Sequence, residues 1–130
     1  MKRIAKVIFY YNDKFLIQLR DNSEIAYPNT WTLLGGGIEN KESALDALKR
    51  ELIEELNFSD FKPQFLFKKV RITDGKEVED NIFCAEVGED ILENELKEGQ
   101  KIQFFTIDEI KELNVFEPFR EYVIEFANAN

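Results

Sequence analysis

The sequence predicts an α/β (α+β) fold, with helices packed against a β-sheet. Three observations carry that expectation. Short runs rich in β-branched and aromatic residues recur between turn residues, one long segment repeats leucine at helical spacing, and the chain closes on shorter helical patterns. No linker, repeat or low-complexity stretch interrupts the 130 residues, a length suited to one sizeable core. A single domain over residues 1–130 is therefore expected.

The elements follow in order. Residues 4–11 and 15–20 read as strands joined at Asn12-Asp13-Lys14, a hairpin. Residues 21–30 are polar, carry Pro28-Asn29 near their end, and read as a loop. Trp31-Thr32-Leu33-Leu34 is a short apolar strand expected to end at Gly35-Gly36-Gly37. The long helix is expected over about 42–56, because Leu45, Leu48, Leu52 and Leu56 recur at spacings of three and four and so share one face. Asn57 then suits a left-handed C-cap. Residues 65–72 and 78–87 read as strands about the turn Asp74-Gly75-Lys76. Residues 88–99 are acidic and loop-like, and 101–107 read as another strand. Asp108 is the expected cap of a short helix through Leu113, and 117–127 reads as a closing helix with Phe119, Val123 and Phe126 inward.

Composition narrows the function. Hydrophobic residues make up 44% and charged residues 33%, ordinary values for a soluble globular chain. The formal net charge of −9 and pI near 4.6 disfavour nucleic-acid polymers and anionic membranes as partners. A phosphorylated small molecule remains compatible, because clustered carboxylates can bind Mg²⁺ or Mn²⁺ and the metal then bridges to phosphate. With no histidine, acid–base chemistry falls to Asp, Glu, Lys or Tyr. The single cysteine, Cys84, sits in an apolar run and reads as a buried structural thiol. The N-terminus lacks a signal-peptide core and no run is long enough for a membrane span, so a cytoplasmic location is expected.

Within the long helix, Glu51, Glu54 and Glu55 stand at i, i+3 and i+4, about a quarter turn from the leucine face. Carboxylates at that spacing repel one another, and a divalent cation would turn the repulsion into coordination by hard oxygens. Arg50 is placed to hold Glu51 in one rotamer. A solvated acidic helix surface explains the three carboxylates equally well. The glycine run one loop earlier favours the ligand-binding reading, since glycines let the backbone approach a ligand and offer a carbonyl to a metal.

Gly36, five residues, Glu42, seven residues and then Arg50-Glu51-Leu52-Ile53-Glu54-Glu55-Leu56-Asn57-Phe58 resemble the box of the Nudix hydrolases. Every fixed charge of the box is present over residues 36–58. Asn57 replaces the usual glycine, and Leu34 and Lys41 replace a frequent proline and glycine in the flanks. Trp31 to Gly36 and Phe104 to Ile110 resemble the family's lead-in strand and its late strand-to-helix segment.

The resemblance implies an α/β/α sandwich around a mixed β-sheet and Mg²⁺- or Mn²⁺-dependent attack of water on a nucleoside diphosphate derivative. It casts Glu54 and Glu55 as principal metal ligands, and Glu51, held by Arg50, as a further ligand or the base. Glu42 becomes a supporting or additional ligand, and the carbonyl of Gly36 an inner contact to the metal. A further acid from a distant loop falls on Glu98 as base or ligand, with Glu95 and Glu79 as rivals. Arg20 is expected on substrate phosphate, while Tyr27, Phe83 and Phe116 are candidates for stacking a base, core packing being the alternative for each Phe. Small members of this kind act on (d)NTPs, including oxidised ones such as 8-oxo-dGTP. The alternatives are a nucleoside diphosphate sugar, ADP-ribose or dinucleoside polyphosphate, or a non-catalytic nucleotide sensor. A monomer or homodimer is expected.

Overall fold

A computed structural model describes residues 1–20, 29–97 and 101–129. Its strands are β1 (Lys2–Tyr11), β2 (Lys14–Leu19), β3 (Trp31–Thr32), β4 (Leu34–Gly37), β5 (Gln64–Thr73), β6 (Lys76–Glu86) and β7 (Lys101–Thr106). Its helices are α1 (Ala44–Leu56), α2 (Ile107–Glu112) and α3 (Phe119–Ala129). The strands form one sheet of order β3-β2-β1-β6-β5, with β4 also on β1 and β7 also on β2. Strands β1 and β6 run parallel and the other pairs antiparallel, so the sheet is mixed.

Alternation along β1 sorts the core into two layers. Ile4 and Ile8 join Phe15, Ile17, Val78, Ile82 and the α3 residues Phe119, Tyr122 and Val123. Ala5, Val7 and Phe9 join Leu16, Phe83, Ala85 and the α1 residues Ala47, Leu48, Leu52 and Leu56. The expected α/β/α sandwich is therefore present. Cys84 is buried in the α3 layer, as expected of a structural thiol, and burial raises its pKa. Among the described residues no helix is long and apolar enough to cross a membrane.

Several expectations are corrected in detail. The glycine run does not end a strand but forms most of β4, paired with Ile4–Val7 of β1. Gly35 explains why: at φ 128° a Cβ there would lie 2.1 Å from the Ala5 carbonyl oxygen, so only glycine allows this close antiparallel approach. Helix α1 starts two residues later than expected, where the Ser43 side chain accepts the Asp46 N–H at 3.0 Å. It ends as expected, with Asn57 at φ 51° donating to the Ile53 carbonyl at 2.8 Å. The cap of α2 is Thr106, in a capping box with Glu109, rather than Asp108. Part of the acidic segment is a 3₁₀ turn, Glu89–Glu93, anchored by buried Ile91. In α3, Tyr122 is buried with Phe119 and Val123, whereas Phe126 is only partly covered.

Candidate active site

Leucine burial on α1 sets the site's geometry. With Leu48, Leu52 and Leu56 pressed on the sheet, Arg50 and Glu51 emerge beside β4, and Glu54 turns outward. Gly36 is where the helix meets the strand edge. A Cβ built there would lie 2.3 Å from the carboxyl carbon of Glu51 and 2.5 and 2.6 Å from its oxygens. The Glu51 carboxylate thus occupies the space that a side chain at position 36 would fill, and reaches past the strand.

Arg50 organises the carboxylates. Its guanidinium donates to Glu42 from Nε at 2.7 Å and from Nη2 at 3.0 Å, and Nη2 also reaches the Gly37 carbonyl at 2.8 Å. Its Nη1 contacts with Glu51 (3.2 Å) and Glu54 (3.3 and 3.4 Å) are longer. Glu42 chiefly raises the Arg50 pKa further, so the guanidinium is a permanent cation here. The expected Arg50–Glu51 pairing is present, but Glu42 is the tighter partner. Glu55 is 3% exposed at the base of the helix.

The Glu42 carboxyl is held below the usual range, first by the Arg50 hydrogen bonds and then by the Glu39 N–H. A group depressed in the folded state contributes stability above its unfolded pKa and loses it as pH falls through the folded value. Denaturant titrations should therefore show wild type more stable than Glu42→Gln at pH 7, with the gap closing as pH falls below the usual carboxylate range. A gap that stays constant down to pH 2 would contradict this role.

On the α3 side of the sheet a cavity of about 350 Å³ opens against Glu51 and Gly36. Lys2, Ile4 and Lys6 of β1 and Val78 of β6 line it, with Arg20 and Thr32 beyond β1 and Arg71 and Thr73 on β5. Phe116 and Phe119 complete the lining. In a chain of net charge −9, four basic side chains among the described residues here face a single carboxylate. Lys6 donates to the carbonyls of Leu33 (3.1 Å) and Gly35 (3.3 Å), and burial lowers its pKa against the opposing pull of Glu55.

The expected residues fall into three groups. Gly36, Glu51, Arg20 and Phe116 share the cavity lining, and Arg50 ties Glu42, Glu51 and Glu54 together beside it. Phe83 is corrected: it is 4% exposed in the α1 layer, edge-on to Phe65, because its odd position on β6 points away from the cavity. Tyr27 and Glu98 lie outside the described residues. Of the rivals, Glu79 pairs with Arg3 at 3.0 Å and accepts from Asn81 at 3.0 Å, while Glu95 is exposed.

The sequence assigns no functional role to Lys6, Arg71, Asp80 or Tyr122 and reads Phe119 only as core, although Lys6 and Asp80 carry a signal. Lys6 lies between Ile4 and Ile8, and Asp80 between Val78 and Ile82, each interrupting a row of same-face apolar residues on a strand.

The NUDIX domain family model matches residues 1–126. The chain belongs to the Nudix family. Solved structures share its fold: a MutT protein from Methanosarcina mazei Go1 has TM-score 0.83 at 19% identity, covering 99% of this chain and 94% of that one. A Nudix hydrolase from Nitrosomonas europaea has TM-score 0.80 at 22% identity, covering 98% and 88%. The Escherichia coli ORF135 protein has TM-score 0.76 at 20% identity, covering 100% and 93%. The sequence has no match among curated proteins. Family membership makes the reaction class pyrophosphate hydrolysis, and Nudix hydrolases generally use divalent metals such as Mg²⁺ or Mn²⁺.

The residues of this Nudix chain fit such a metal, though not as a finished cage. Among the described residues no three acidic side chains stand close enough to grip an ion, because Arg50 draws Glu42, Glu51 and Glu54 to itself. The donors are nonetheless hard carboxylate oxygens, with that of Glu51 packed against Gly36 at the strand edge. The long Nη1 contact to Glu54 is the one that would yield, leaving Arg50 anchored on Glu42, Gly37 and Glu51.

Proposed function

We propose that this chain hydrolyses the pyrophosphate linkage of a nucleoside triphosphate, deoxy or oxidised forms included, by water attack at phosphorus. The observation that carries the reading is the cationic, ring-lined cavity abutting the Glu51 carboxylate in an otherwise acidic protein. Lys2, Lys6 and Arg20 offer charge to a triphosphate, and Phe116 and Phe119 offer apolar surface to a nucleoside.

In this reading Glu54, Glu55 and the Gly36 carbonyl hold Mg²⁺ or Mn²⁺, with Glu51 as a further ligand or as the base. Bound there, the metal would neutralise the pyrophosphate, polarise phosphorus and acidify a water. Glu51 would accept the water proton on a carboxylate oxygen, and its contact with Arg50 supports a fixed rotamer for that role. Glu98 keeps its place as an additional base or ligand. No histidine exists to activate a serine, and Cys84 is buried, so an activated water is the economical nucleophile.

A substrate panel with Mg²⁺ or Mn²⁺ in ¹⁸O-water tests the reading. Nucleoside triphosphates should give a monophosphate and pyrophosphate, with one label on a phosphorus-bearing product. Turnover in excess chelator, or preferential cleavage of ADP-ribose or nucleotide sugars, would overturn it.

A further inference from the structure

Beneath the cavity the structure holds a polar group that the box does not require. Asp80 is wholly buried on β6, where its Oδ2 accepts from Arg71 Nε at 2.7 Å and from the Tyr122 hydroxyl at 2.7 Å. Arg71 also donates from Nη1 to Thr73, and its Cζ lies 5.4 and 5.5 Å from the ring centroids of Phe116 and Phe119. A buried ion pair contributes little net stability over apolar residues of the same volume. This one instead fixes the plane and rotamer of a guanidinium that lines the cavity.

Two uses of the five guanidinium N–H groups are accounted for by Asp80 and Thr73. The Nη2 donors have no partner among the described residues, and Arg71 has 14% of its side chain exposed. Position supplies the second argument. Gly36 and Arg71 are separated by the steps β4 to β1, β1 to β6 and β6 to β5. At an inter-strand spacing near 4.8 Å those steps span about 14 Å across the sheet, and the three residues from Ala5 to Lys2 add about 10 Å along it. The backbones therefore stand roughly 17 Å apart with the long Glu51 and Arg71 side chains lining the cavity between them, the scale of an extended nucleotide from its pyrophosphate to its base.

We propose that Arg71 is a specificity-determining residue, offering paired N–H donors to two adjacent acceptors on a purine edge, as guanine O6 and N7 present, with Asp80 and Tyr122 as positioning residues. This deepens the nucleotide reading and rests on it. Adenine presents one donor and one acceptor at the same edge, so the fork discriminates against it. Lysine in place of arginine would keep the charge and lose the planar fork.

Calorimetric titration with dGMP, dAMP and 7-deaza-dGMP in Mg²⁺ tests the proposal without requiring turnover. Wild type should bind dGMP about tenfold or more tighter than either other nucleotide, since 7-deaza-dGMP lacks only the N7 acceptor. Arg71→Lys should bring dGMP down to the dAMP level and leave dAMP unchanged. Tyr122→Phe should lower the same ratio without altering the fold by circular dichroism. Equal binding of the three nucleotides by wild type would overturn the proposal, as would equal weakening of dGMP and dAMP in Arg71→Lys, the mark of a phosphate clamp. If Arg71→Lys does not fold, the wild-type comparison with 7-deaza-dGMP decides. Guanine-selective binding with no hydrolysis of dGTP or dATP would refute the enzymatic reading and support this one. Hydrolysis of both with unselective binding would do the reverse.

Discussion

Replacing Glu54 and Glu55 together by glutamine should abolish both the metal-induced rise in thermal stability and nearly all turnover. Each substitution keeps the side chain's size and removes its charge, so the buried position of Glu55 remains filled. Wild type should gain about 2.7 kcal/mol at a metal concentration one hundred times Kd, by linkage of binding to the folded state. The double variant should gain none. Loss of the metal's stabilisation of the reacting phosphoryl group, worth several kcal/mol, should lower kcat by about 10³-fold or more. An undiminished metal-induced shift would remove Glu54 and Glu55 from the site and return the helix to a solvated acidic surface.

Those two residues belong to the part of the protein that could be read directly from the sequence. Helix α1 and its Asn57 cap follow from local periodicity, and local periodicity survives folding. The strands were legible for the same reason. The cap of α2 was misplaced because Thr106 and Asp108 are both good capping residues, and only the reciprocal Glu109 contact selects the first. The substrate side was harder to see because it is built from distant segments. The parallel pairing of β1 with β6 sets Lys2 beside Val78, and the antiparallel pairing of β6 with β5 sets Arg71 beside Val78 in turn. Such non-local pairings leave no periodic trace within a short window. Phe83 shows the same limit from the other direction, since one step along β6 changes the face and takes the ring from cavity to core.

The three glycines should separate catalysis from folding when each is changed to alanine. Gly37→Ala should resemble wild type in both kcat and Tm, because a Cβ there meets nothing within 4 Å. Gly35→Ala should lose the fold's stability, since its Cβ would press on backbone at 2.1 Å from the Ala5 carbonyl oxygen and its φ of 128° suits only glycine. Gly36→Ala is the informative case. Its φ lies outside the left-handed region, and the atoms its Cβ would meet, at 2.3 to 2.6 Å, belong to the far end of the Glu51 side chain. A flexible carboxylate can swing aside, so Tm should change little. The swing nevertheless moves the Glu51 oxygens by an ångström or more from the cradle, and displacements of that size cost about 10²-fold in rate. Assayed side by side, Gly36→Ala should therefore lose about 10²-fold in kcat at near-native Tm, with Gly37→Ala as the active control. Native kcat in Gly36→Ala would show that the position of Glu51 against β4 is incidental to the chemistry, and would move the base to another carboxylate.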